Sequence, residues 1–186
     1  MSLFVSFEGG EGSGKSTQAE RLSRRLRRLG LSVVSLREPG STSLGDYVRA
    51  WLVKEQRTKL SRGAEAFLFA AARAELVAKV IRPALDQPNT VIVADRYADS
   101  TTAYQGHGRR IALRDVGVIN RVATQGIMPR LTFLLDCTPE EGLGRVGSLH
   151  DTDQLDSFRQ AAVSRLDREG TRRFEQESLA FHRRVR

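Results

Sequence analysis

Residues 9–16 read GGEGSGKS, and the context of this stretch decides the fold. It matches the spacing G-x-x-x-x-G-K-[S/T], in which glycines let successive backbone N–H groups curl around an anion with no Cβ in the way. Before it, residues 3–7 (LFVSF) form a short apolar run that reads as a buried strand. After it, Ala19, Leu22, Leu26 and Leu29 recur at three- and four-residue steps. Arg21, Arg24, Arg25, Arg27 and Arg28 fill the opposite face, and Gly30 ends the helix. Strand, loop and helix in that order set unpaired N–H groups and the positive end of a helix dipole against the loop. Gly9, Gly10, Glu11, Gly12, Ser13, Gly14, Lys15, Ser16 and Thr17 are therefore expected to bind the phosphates of ATP. Lys15 would reach the β- and γ-phosphates and Ser16 would ligate Mg²⁺.

Working outward, residues 32–36 read as a second strand stopped by Pro39 and Gly40, and Leu44, Val48 and Leu52 mark a short helix. A long helical pattern runs over 64–81, with Pro83 expected to kink or end it. Residues 90–94 (TVIVA) are too short for a helix and apolar on both faces, as a central parallel strand requires. Val116, Ile119, Val122 and Ala123 mark a helix closed by Gly126 and Pro129. Residues 131–135 read as a fourth strand, and Pro139 and Glu140 open a further helix. Leu179, Phe181 and Val185 suggest a last one. Strands alternating with helices predict an α/β fold, a doubly wound parallel sheet with helices on both faces, of the P-loop NTPase type, with strand order 2-3-1-4. The expectation is one domain over 1–186, with a polar lid segment at about 146–172.

The composition narrows the function. The 186 residues are 40% hydrophobic and 28% charged, with a net charge of +8 carried mostly by Arg. No apolar stretch approaches the roughly 20 residues needed to span a bilayer, and no secretory leader is visible. No zinc spacing, RNP motif or polybasic block points to nucleic acid, so neither nucleic acid nor membrane is expected as a partner. Cys137 is the single cysteine, which excludes an intrachain disulfide and fits a reducing cytoplasm. Its plain reading is a small apolar residue at a strand end.

Residues 91–95 (VIVAD) have the form of a strand that delivers Asp95 to the crevice holding the phosphate loop, where it would support Mg²⁺. Arg96 follows at once. An anionic acceptor phosphate needs no base to attack; it needs its repulsion from a second polyanion neutralised, which a guanidinium does by paired hydrogen bonds. Lys15, Asp95 and Arg96 are the candidate catalytic groups.

With these motifs stands a resemblance to the thymidylate kinase family. It is carried by FEGGEGSGKSTQ at 7–18, REPGST at 37–42, LFAAAR at 68–73, DRYADSTTAYQG at 95–106 and LLDCTPEEGL at 134–143. The resemblance implies a nucleoside monophosphate kinase fold, ATP-dependent phosphorylation of dTMP to dTDP, Mg²⁺ as cofactor and a homodimer. It also implies site roles. Glu11 would recognise the sugar 3′-hydroxyl, and Glu8 would sit near the magnesium. Phe69 would stack on thymine, Arg73 would bond a base carbonyl, and Arg96 would bind the acceptor phosphate. Thr101 and Gln105 would supply polar contacts near the base, Tyr104 would crowd the 2′ position, and Pro39 would wall the monophosphate pocket. Some members carry an arginine where this chain has Gly12; those without it bring arginines from the lid. Arg145, Arg159, Arg165, Arg168, Arg172 and Arg173 are the candidates here, Arg168 first. Two features depart from the pattern. The lid stretch is long and half acidic, and a strand and helix usual at the family's C-terminus are expected to be absent, leaving one sheet edge uncovered. A kinase for another nucleotide or nucleoside, or a nucleotide-binding regulator impaired in turnover, remain the alternatives.

Overall fold

A computed structural model describes residues 2–54, 60–151, 174 and 177–186. Four strands, β1 (Leu3–Glu8), β2 (Ser32–Arg37), β3 (Thr90–Asp95) and β4 (Leu131–Leu134), form one sheet in the order β2-β3-β1-β4. All three pairings are parallel, as the sequence order implies. β3 is buried along its whole length. Its Phe4-facing side packs Ile92 and Ala94 with Leu76, Val77 and Ile81, and its other side packs Val91 and Val93 with Val5, Phe7 and Ala19. The alternation follows from the two-residue period of a strand. Full burial of a side chain such as Ile92 or Ile81 contributes about 1.5–3 kcal/mol each.

The helices are α1 (Lys15–Arg28), α2 (Ser43–Lys54), α3 (Arg62–Leu76), α4 (beginning Ala98–Thr101), α5 (Leu113–Thr124), α6 (Pro139–Asp151) and α7 (Leu179–Val185). α3 does not stop before Pro83. It widens into a π-helical turn over Val77–Ile81, where the Arg82 N–H reaches Val77 O, and continues through Arg82–Leu85. The wider turn makes room for a ring that cannot donate a hydrogen bond, so the chain passes Pro83 without breaking. α4 likewise runs on as a π-helical segment over Thr102–Gly108. The sequence did not announce this helix, because its serines, threonines and glycines carry no apolar period. α5 closes on left-handed backbone at Gln125 and Gly126, as the glycine suggested.

β4 lies at the sheet edge, with Leu131 and Leu134 47% and 72% exposed. α7 packs on the π-helical part of α4, where Phe181 lies so close over Gly108 that a Cβ there would meet its ring at 2.6 Å. No helix among the described residues is long and apolar enough to cross a membrane.

Candidate active site

Parallel strands bring their carboxyl ends to one edge, and the register pairs Phe7 with Asp95. The phosphate loop after β1 and the Asp95–Arg96 turn after β3 therefore start side by side, stitched by the bond from Arg96 N to Phe7 O at 3.0 Å. Gly14 enters α1 at φ 91°, and no side chain caps that helix. Its first N–H groups remain available to an anion. Lys15 is 6% exposed and folds back over the loop to donate to Gly10 O and Ser13 Oγ. Burial and the nearby Arg96 lower its pKa to about 8. The negative charge of a bound polyphosphate would oppose both effects and favour the charged ammonium.

A cavity of about 420 Å³ opens from this loop toward α3 and α4. Of the residues expected to hold ATP, Glu11, Gly12, Gly14, Lys15, Ser16 and Thr17 line it; Gly9, Gly10 and Ser13 form the loop without doing so. Of the acceptor-side residues, Pro39, Phe69, Arg73, Arg96, Thr101, Tyr104 and Gln105 all line it, together with Asp95. The structure thus gathers both sets around one space. It adds Arg37, Glu38, Arg49, Ser100 and Phe174, to which no role was assigned from the sequence. Arg37 and Glu38 lie inside the quoted REPGST motif and Ser100 inside DRYADSTTAYQG; Arg49 and Phe174 had no pattern of their own to mark them.

At the centre Arg96 is tied from several sides. Its Nη2 donates to Glu11 Oε1 at 2.9 Å and to Tyr104 Oη at 3.1 Å, and its Nη1 donates to Gly9 O and Ser100 Oγ. The guanidinium also lies over the Tyr104 ring, 4.9 Å from its centroid. Tyr104 Oη donates to the same Glu11 oxygen at 2.7 Å. Burial by itself would raise the Glu11 carboxyl, but Arg96, Lys15 and the tyrosine hydroxyl hold it below the usual carboxylate range. Arg96 adopts φ 75°, left-handed backbone that is costly for a residue with a Cβ. Packing holds that strain in place and aims the guanidinium across the loop.

Arg73 is 2% exposed and fully committed within the protein. Nε and Nη2 both donate to Glu38 Oε2, Nη2 also to Tyr97 O, and Nη1 to Thr101 Oγ1 and Asn120 Oδ1. All of its N–H donors are thereby used. Burial raises the Glu38 pKa against the pull of Arg73. Phe69 packs beside Leu52 and Ala72, 6.1 Å from the Phe174 ring. Cys137 is half-buried, with its Sγ 4.0 Å from Glu11 O.

Magnesium was assigned to Ser16, Asp95 and Glu8. Ser16 Oγ donates to Asp95 Oδ2 at 2.5 Å, and both residues line the cavity. A hydroxyl and a carboxylate at the phosphate loop fit a hard cation that keeps most of its shell as water and phosphate oxygens. Glu8 is turned elsewhere: Oε1 accepts from Tyr97 N at 2.7 Å and Oε2 from Ser100 Oγ at 2.6 Å. Burial pushes its pKa up to about 7, against the Ser100 bond and Arg96. The described residues hold no cluster of three His, Cys, Asp or Glu suited to a metal.

The lid expected from about 146 begins inside α6. Arg145, on that helix, donates to Gly12 O at 3.3 Å and lines the cavity. Arg159, Arg165, Arg168, Arg172 and Arg173 lie outside the described residues.

A phosphate loop, a carboxylate and arginine at the next strand end, and a second lobe of the same cavity define a P-loop nucleotide kinase. The thymidylate kinase family model matches residues 7–162. Thymidylate kinase of Syntrophotalea carbinolica is 46% identical over 186 residues, all of this chain and 80% of that protein. That of Solidesulfovibrio magneticus is 47% identical over 184 residues, 99% of this chain and 82% of the other. The crystal structure of thymidylate kinase from Ehrlichia chaffeensis superposes with a TM-score of 0.69 at 36% identity, covering 81% of this chain and 85% of that one. The chain belongs to the thymidylate kinase family and is a phosphotransferase.

Proposed function

We propose that this chain transfers the γ-phosphoryl group of ATP to the phosphate of dTMP, giving ADP and dTDP. The observation that carries this reading is Arg96, strained and tethered between the phosphate loop and the acceptor side of one cavity. ATP would lie with its phosphates on residues 9–17, and dTMP between Pro39, Phe69, Arg73, Arg96 and Tyr104. An oxygen of the dTMP phosphate attacks the γ-phosphorus in line as the bond to the ADP oxygen breaks. No proton need be removed first, because the attacking oxygen is anionic at neutral pH. Lys15 and Arg96 would neutralise the two polyanions and the charge on the transferring group, and their fixed placement avoids reorganisation at the moment of transfer. Mg²⁺, held through Ser16 and Asp95, supplies further charge neutralisation when bound.

Glu11 orients Arg96 and is positioned to meet the sugar hydroxyl, and Tyr104 beside it restricts the 2′ side. Phe69 offers a π-face to the base, and Thr101 and Gln105 lie along the polar edge. Arg145 supports the reading that cationic help comes from the α6 side, where the loop itself has Gly12; Arg168 remains the further candidate. We read the chain as one cytoplasmic domain with a lid at about 146–172, acting on small molecules rather than nucleic acid or membrane. A homodimer is supported by the exposed apolar side chains Tyr47 and Phe67 on α2 and α3, and Val118 and Val122 on α5. The test is ADP formation with dTMP, dUMP, dGMP, TMP and thymidine as acceptors. The expected order has dTMP first. A better rate with thymidine or dGMP would reject the assignment, and tight ATP binding with no ADP formed would favour a regulator.

A further inference from the structure

Gln105 and Glu65 face each other just behind the acceptor side of the cavity. Gln105 sits in the π-helical part of α4, is 1% exposed and lines the cavity. Its Nε2 donates to Glu65 Oε1 at 3.0 Å. Glu65, on the first turn of α3, is 2% exposed. Arg109 donates from Nε to Glu65 Oε1 at 3.0 Å and from Nη2 to Oε2 at 3.1 Å. The same arginine donates to Glu177 and stacks over Phe181 and Phe174, so it is anchored independently of Gln105.

An amide carries a donor end and an acceptor end, and a carboxylate paired with a guanidinium can only accept. Glu65 therefore tolerates only the Nε2 end of Gln105. The carbonyl Oε1 becomes the end left for the cavity, and among the described residues nothing donates to it. Arg73, the other polar group expected at the base, has its donors committed to Glu38, Thr101, Asn120 and Tyr97.

We infer that Glu65 is a positioning residue that fixes the Gln105 amide with its carbonyl toward the acceptor base, and so selects a base with an imide N–H over one with a ring-nitrogen acceptor. The inference rests on the assignment of this cavity to dTMP. Thymine and uracil offer N3–H to that carbonyl. Cytosine presents a lone pair at N3, so two acceptors would meet without a proton between them. A site built to pair with a donor rejects a ligand lacking it by a wide margin, because the buried group is left unpaired.

The test measures kcat and KM for dTMP, dUMP and dCMP at saturating ATP on the full chain. dUMP and dCMP both lack the 5-methyl group, so their ratio reports on the pairing edge alone. The wild type should prefer dUMP to dCMP in kcat/KM by at least about tenfold. In Glu65→Gln, the new amide can accept or donate, and Gln105 is released to flip. The dUMP-to-dCMP ratio should fall about tenfold through KM, with the KM for ATP within about twofold of wild type. Gln105→Leu should lose the same selectivity, and adding Glu65→Gln to it should cost no further selectivity. Glu65→Asp, which keeps an acceptor-only partner, should retain the ratio. An unchanged ratio in a folded Glu65→Gln overturns the inference, even where Gln105→Leu loses it. Should Glu65→Gln not fold, equal use of dUMP and dCMP by the wild type overturns it just as well. Absence of turnover with all three acceptors would instead overturn the dTMP assignment.

Discussion

A methyl group on Gly142 would fall 2.1 Å from the carbonyl oxygen of Glu11, and one on Gly12 would fall 1.9 Å from the carbonyl oxygen of Gly142. α6 therefore meets the phosphate loop backbone to backbone, with no side chain between. Because the Glu11 carboxylate holds Arg96 and Tyr104, the contact also sets the register of Arg96. Gly142→Ala should lower kcat/KM at least about tenfold as the loop or the helix is pushed aside. Gly144→Ala is the control, since a methyl there meets nothing within 4 Å. Both substitutions gain about 0.5–1 kcal/mol of helix propensity. Equal rates for the two variants would show that the close approach is dispensable.

Arg96 combines two separable effects. Removing the guanidinium in Arg96→Ala should lower kcat at least about a hundredfold, given what a transfer arginine is worth in related phosphoryl transfers. The backbone at φ 75° makes a second claim. Arg96→Gly should be as inactive as Arg96→Ala yet more stable than it by about 1 kcal/mol, because glycine adopts that conformation without a Cβ clash. Activity near wild type in either variant would remove Arg96 from the mechanism; equal melting temperatures would mean the backbone is not strained.

Glu8 should make stability depend on pH. Its folded pKa is raised from 4.5 to about 7, so between those values the folded state binds more protons than the unfolded one. Stability then falls as pH rises through that window, by up to about 3 kcal/mol. Glu8→Gln can still accept from Tyr97 N–H and can donate to Ser100. The variant should melt with wild type at pH 4 and above it at pH 8. Parallel curves across the whole range would rule out a buried, titrating Glu8.

Phe69 stands between packing and recognition. It contacts Leu52 and Ala72 in the core, yet it lines the cavity. Phe69→Ala should raise the KM for dTMP about tenfold through the loss of stacking area, with the KM for ATP unchanged. A lowered melting temperature with both KM values unchanged would mean that Phe69 is core alone.

Much of this was legible in the chain. The glycine spacing at 9–16, the short run of residues 90–94 apolar on both faces and the delivery of Asp95 and Arg96 to a strand end predicted the sheet and its order, and the family resemblance implied the acceptor-side residues that line the cavity. Such features are encoded within a few residues of one another, because backbone conformation and apolar period are local properties. The passage of α3 beyond Pro83 and the helix over residues 98–108 were not legible, since in both the π-helical turn has no sequence period of its own.

The partners of the buried charges were decided only by tertiary structure. Arg73 finds Glu38 across 35 positions, and Arg109 finds Glu65 across 44. Glu8 turns to Ser100 rather than to the phosphate loop, across 92. A charge removed from water takes whichever counter-charge or donor the packing of helices places within about 3 Å, and that distance is set by the whole sheet rather than by neighbours in the chain.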